Sequence, residues 1–228
     1  MRQQITALME RMKQEHIDYY LVVSEDDHNS EYVAPHFRVI AYLTGFTGSA
    51  GTLLVSRSHA YLWTDGRYFL QAENQLKESG ITLMRMGEEN VPALVDWLAE
   101  HGKAGEVLGF DGRTVNAAML SKMMDKLSNC EMKFSMDKNL AGEVWEESTT
   151  RPSLSFQPIF AYEECYAGES RSSKCQKLRE FLEEKQAFCY VITGLDEIAW
   201  LLNLRGQDEK AVLFPYRPFL PFPESSWS

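Results

Sequence analysis

Across residues 1–138, short apolar runs of β-forming residues alternate with stretches that carry apolar side chains at helical spacing, which leaves few ways to fold. Ile5, Leu8, Met9 and Met12 fall at i, i+3, i+4 and i+7, one apolar face of an opening helix. Residues 19–23 are aromatic and aliphatic and read as a buried strand. Strands over 51–56 and 60–64, joined by a turn at 57–59, read as a hairpin. Asp65 stands where it can cap a helix over 66–77 with Phe69, Ala72 and Leu76 inward. Strands at 81–86, 107–110 and 131–135 then alternate with helices at 91–101 and 114–127. Such alternation predicts α/β layering, and the hairpin makes the sheet mixed.

This first domain is expected to close near Lys138 (1–138), and 139–158, poor in periodicity, reads as a linker. A second α/β unit, 159–206, restarts with a strand at 159–162 and a helix over 172–186, with Cys175, Leu178, Phe181 and Leu182 inward. A strand at 188–193 and a helix at 195–204 follow. Residues 207–228 then form a divergent proline-rich tail: Pro215, Pro218, Pro221 and Pro223 are half of the eight prolines and bar helix or interior strand. Units below roughly 60 residues bury too little surface to be comfortable alone, so the second domain is expected to be incomplete.

Charge narrows the function. With 23 basic and 33 acidic side chains the net charge is −10, which lacks the basic footprint that phosphate backbones demand. No apolar run approaches the roughly 18 residues of a membrane span, and the start lacks an apolar signal core. Cys130, Cys165, Cys175 and Cys189 have no metal-type spacing and read as reduced thiols of a cytoplasmic protein.

Asp26, Asp27, His28 and Glu31 are the most metal-like group by residue type. Adjacent Asp residues aim poorly at one point, so the expectation is a solvated turn with no metal. Gly45, Gly48 and Gly51 precede a strand instead of a helix, which argues for a tight turn over a phosphate loop. Arg67 is placed in the first turn of the expected helix, against the positive end of its dipole. Its planar fork then needs an acceptor, either a neighbouring carboxylate or a ligand oxygen. His59 and His101 read as structural. No His follows His101, and no HExxH or GxSxG motif is present, so no catalytic residue is assigned.

Three runs together resemble the N-terminal domain of Xaa-Pro aminopeptidases of the creatinase superfamily: HNSEYVAP at 28–35, TGFTGSAG at 44–51 and WTDGRYFLQA at 63–72. YAGES at 166–170 and LDEIAWLLNLRG at 195–206 extend the likeness to the second unit. The resemblance implies a creatinase-like α/β fold in both units, the first a mixed six-stranded sheet flanked by helices and the second truncated. It implies a third domain, beyond this chain's resemblance, that holds two divalent ions, usually manganese, on two Asp, one His and two Glu. The reaction it implies is removal of an N-terminal residue from peptides with proline second, by a hydroxide bridging both metals. Arg67 matches a family Arg that contacts the peptide substrate, and a homo-oligomer, a dimer, is implied. No cofactor is expected in this chain itself.

The resemblance is expected to stop near Gln207, as a frameshift or premature stop would make it. Two functions follow. One is the non-catalytic N-terminal portion of a cytoplasmic Xaa-Pro aminopeptidase, contributing dimerisation and substrate-pocket contacts and inactive alone. The alternative is a stand-alone binding or assembly module, sticky where Phe181, Leu182, Trp200 and Leu201 lack cover. A creatinase-type amidinohydrolase remnant is a third, weaker match.

Overall fold

The computed structural model describes residues 1–154 and 157–207. The tail expected at 207–228 therefore lies, from 208 onward, outside the described residues. Two compact units separate: Met1–Asn29 with Val33–Pro152, and Ser30–Tyr32 with Ser153–Ser228.

Unit one is built on a six-stranded sheet of β1 (Tyr19–Val23), β2 (Thr52–Ser56), β3 (Ala60–Thr64), β4 (Ile81–Arg85), β5 (Val107–Phe110) and β6 (Lys133–Ser135), in the order β4-β3-β2-β1-β5-β6. Only β2 runs against its neighbours, through the hairpin to β3 and the ladder to β1; the pairs β3–β4, β1–β5 and β5–β6 are parallel. Five strands therefore deliver their carboxyl ends to one end of the sheet.

Side chains alternate across the pleat. Tyr20, Val22, Leu53, Val55 and Leu62 pack under α1 (Gln3–Gln14), α2 (Val39–Thr44), α3 (Phe69–Gln75) and α6 (Leu140–Glu147). Leu21, Val23, Leu54, Trp63, Leu108 and Phe110 pack under α4 (Leu94–His101) and α5 (Ala117–Leu127). Trp63 and Phe110 are each 1% exposed, and full burial of such side chains contributes about 1.5–3 kcal/mol apiece. The expected mixed α/β sheet with helices on its faces is what forms.

Three local expectations change. Residues 139–158 are not simply a linker: Asn139 caps α6 by accepting the Gly142 N–H at 2.9 Å, and Leu140, Ala141, Val144 and Trp145 are buried. The Tyr20 hydroxyl donates to the Lys138 carbonyl at 2.7 Å and accepts from the Leu140 N–H at 3.0 Å, tying this helix to the sheet. That burial pushes the Tyr20 phenol far above its ordinary pKa. Secondly, α2 was absent from the sequence reading because six residues carry too short a periodic signal. Thirdly, α3 begins at Phe69 and not at 66, with Tyr68 at its N-cap, so Asp65 does not cap it and Arg67 lies outside its dipole.

Unit two contains β7 (Phe160–Ala161) paired antiparallel with β8 (Leu204–Arg205), and helices α7 (Glu164–Ala167), α8 (Arg171–Glu184) and α9 (Leu195–Leu202). On α8 the buried residue is Lys174, not the expected Phe181, which is 49% exposed. The Lys174 ammonium donates to the Trp200 carbonyl at 2.9 Å and to Asn203 Oδ1 at 2.7 Å. Those bonds compensate its burial and fix the end of α9. Among the described residues the strand expected at 188–193 joins no ladder.

Candidate functional site

The chemistry-bearing side chains of unit one collect at the carboxyl end of its sheet, the end at which open α/β sheets bind ligands. The loop after β1 brings Asp26, Asp27 and His28; β3 runs into Asp65, Gly66 and Arg67; β5 runs into Asp111, Gly112 and Arg113.

Arg67 is held by its own turn. Asp65 Oδ1 accepts from the Arg67 backbone N–H at 3.0 Å and from Nε at 2.9 Å, while Oδ2 accepts from Nη2 at 2.8 Å. The guanidinium carbon stands 5.1 Å from the Tyr68 ring centroid. Its neighbour's hydroxyl meets Ser49 Oγ at 2.6 Å, and Gln71 and Gln75 both donate to Thr47 Oγ1 at 2.9 Å, so the glycine loop is latched to α3. That loop is tight as expected: a Cβ on Gly48 would lie 2.2 Å from the Phe46 ring. The pairing draws the Asp65 carboxyl below the usual carboxylate range and pushes the Arg67 guanidinium further up. Among the described residues no hydrogen bond uses Arg67 Nη1, so the edge formed by Nη1 and Nη2 faces outward from an anchored fork. Of the two acceptors considered for Arg67, the neighbouring carboxylate is the one in place.

A second turn repeats this geometry, and the sequence reading passed over it. Asp111 accepts from the Arg113 backbone N–H at 3.1 Å, from Nε at 3.0 Å and from Nη2 at 2.7 Å. The signal was available: an Asp-Gly-Arg tripeptide directly after a strand occurs twice in the chain. Arg113 differs in its surroundings, because Asp27 also lies near enough for each charge to favour the other.

Asp26, Asp27 and His28 present ligand atoms within 4.8 Å of one another. A solvated turn does not describe Asp26, which is 1% exposed and accepts the His28 N–H at 2.9 Å in a closed Asx turn. His28 Nδ1 pairs with Asp27 at 2.7 Å; this bond raises the His28 pKa and lowers that of Asp27. The fourth acid of the group, Glu31, falls in the other compact unit. Two metal ions held side by side need more donors than one buried carboxylate and an engaged Asp–His pair, so this group does not fit a di-nuclear centre.

Two segments of the chain match family models of the creatinase/prolidase N-terminal domain, residues 4–136 and residues 150–217. The chain belongs to the creatinase/prolidase N-terminal domain family. The second match runs past Gln207, so the likeness does not stop where the sequence reading placed its end. A probable Xaa-Pro aminopeptidase P of Coccidioides posadasii is 42% identical over 217 residues, which are 95% of this chain and 32% of that protein. One of Pyrenophora teres f. teres is 39% identical over 215 residues, covering 94% of this chain and 32% of its own length. This creatinase-family chain thus spans about a third of the curated relatives it matches. Among solved structures, the X-prolyl aminopeptidase of Caenorhabditis elegans, described as a cytosolic enzyme with a di-nuclear active site, superposes with a TM-score of 0.83. It is 35% identical, with 90% of this chain and 34% of that one covered.

Proposed function

We propose that this chain is the N-terminal, non-catalytic portion of a metal-dependent Xaa-Pro aminopeptidase, an enzyme that releases an N-terminal residue linked to proline. The observation that carries this reading is the match of 95% of the chain to only 32% of a protein of that activity. In this reading the two divalent ions, manganese in the sequence-based expectation, and the residues that hold them lie outside the described chain. A cytoplasmic location and a dimer belong to the same reading; among the described residues no helix is long and apolar enough to cross a membrane.

Arg67 is the residue through which this portion reaches the peptide. Asp65 occupies one edge of the guanidinium and leaves the other to meet a peptide carbonyl or carboxylate oxygen end-on. Anchoring removes most of the rotamer entropy that a free Arg loses on binding. The test is an assay of the purified chain with a Xaa-Pro peptide and manganese(II). No cleavage is expected; turnover abolished by EDTA overturns the reading.

A further inference from the structure

The glycine loop at 44–51 converges on one aromatic ring, that of Tyr68. Thr44, buried at the end of α2, donates its hydroxyl to the Ile40 carbonyl at 2.7 Å and accepts the Phe46 N–H at 2.9 Å, which fixes Phe46. Phe46 is buried in turn and meets Tyr68 edge-on, with ring centroids 6.0 Å apart at 88°. Gly48 leaves room for both rings: a Cβ there would stand 2.2 Å from Phe46 and 2.8 Å from Tyr68. Ser49 Oγ meets the Tyr68 hydroxyl at 2.6 Å. Tyr68 is thus fastened at its ring and at its hydroxyl, and the Arg67 guanidinium lies over that ring, 5.1 Å from the centroid.

Arg113 supplies the comparison. It makes the same three bonds to its own Asp, and among the described residues no cation–π contact involves it. Paired bonds to a carboxylate act in the plane of the guanidinium, whereas a ring against the guanidinium restrains motion out of that plane. We propose that Tyr68 is the positioning residue of Arg67: fastened by Phe46 and Ser49, with Gly48 leaving it room, its ring holds the outward edge of the guanidinium in one orientation for a peptide oxygen. The purpose of this support rests on the proposed contact of Arg67 with a peptide; the support itself stands on the packing.

Nitrogen-15 relaxation at the Arg Nε–H groups of the complete 228-residue chain tests this, because it reads the order of each Arg side chain separately. The Arg67 order parameter is expected to lie above about 0.6 in the native chain and to fall below it in Tyr68→Leu, with Arg113 unchanged. Tyr68→Phe keeps the ring and with it most of the order, and Ser49→Ala, which removes the same hydroxyl bond from the other side, matches Tyr68→Phe. Unchanged β1 backbone resonances are the folding control. Titration with the tripeptide Ala-Pro-Ala, followed at the Arg67 Nε resonance, is expected to give binding about two- to fivefold weaker in Tyr68→Leu, the size of an exposed cation–π contact. Disorder of Arg67 in the native chain, equal order or equal peptide affinity in Tyr68→Leu, or a fall in order that Arg113 shares overturns the proposal. An Arg67 resonance that the peptide leaves unmoved in the native chain overturns the peptide contact instead, and the order parameters then still decide whether Tyr68 holds the fork.

Discussion

Asp65-Gly66-Arg67 and Asp111-Gly112-Arg113 are one tripeptide folded twice, each at the carboxyl end of a strand, with the same three hydrogen bonds from Arg to Asp. The turn geometry is therefore a local product of sequence: a carboxylate two residues before an Arg closes on its backbone and its fork. What separates the two is the environment. Asp111 is 15% exposed, forms an isolated bridge with Asp137 and leads into Gly112, whose N–H donates to the Met136 carbonyl at 3.0 Å. Asp65 is 35% exposed and among the described residues pairs with Arg67 alone, while Arg113 feels both Asp111 and Asp27. One turn is built into the sheet end; the other holds a cation out from it. Anchored geometry by itself does not mark a binding residue, and the residual charge around it does the distinguishing.

Substituting the two glycines separates the turns most. A Cβ at Gly112 would lie 2.7 Å from the Met136 carbonyl oxygen, a backbone atom, whereas at Gly66 the nearest atom is the Phe69 ring at 3.9 Å. Gly112→Ala is expected to lower the unfolding free energy by about 1–3 kcal/mol and Gly66→Ala to leave it unchanged, read from urea midpoints at constant m. Equal losses would mean that the two turns are equally embedded. A smaller contrast comes from the carboxylates. Asp111→Ala is expected to cost about 1 kcal/mol through the Arg113 and backbone bonds it removes, and Asp65→Ala to leave the urea midpoint in place. A midpoint that drops for Asp65→Ala would show that the Arg67 turn is structural.

The smallest effect is on pH dependence beside Arg113. The His28 pKa is raised by its bond to Asp27, so the pair's contribution is complete below the unfolded value near 6.5 and is lost as pH rises through the folded value. Because Asp27 is depressed by the same bond, the acid limb is lost only as pH falls through that lowered pKa. For this partly exposed pair the stability is expected to fall by less than about 1 kcal/mol from about pH 6 to about pH 9. The slope shrinks in His28→Gln; an unchanged slope would show that the His28–Asp27 bond does not contribute to stability.

Much of unit one was legible because its strands and helices repeat with clean periods: residues 19–23, 60–64 and 107–110 form strands over the expected ranges. The α6 helix was readable too, since Leu140, Ala141, Val144 and Trp145 fall on one face, but Thr149, Thr150 and Pro152 just after it suggested a linker. Residues 188–193 failed for the opposite reason. Their composition matches that of β1, yet among the described residues β1 has ladders on both sides and this segment has none, and composition carries no information about partners. The same limit hid the contrast between Arg67 and Arg113, whose neighbouring charges come from loops distant in sequence.

Calorimetric titration of the purified chain with manganese(II) tests most directly whether the catalytic machinery lies outside it. The account predicts no tight stoichiometric uptake, because among the described residues the one group of three donors offers an Asp–His pair already engaged. Two manganese ions bound tightly per chain would contradict it.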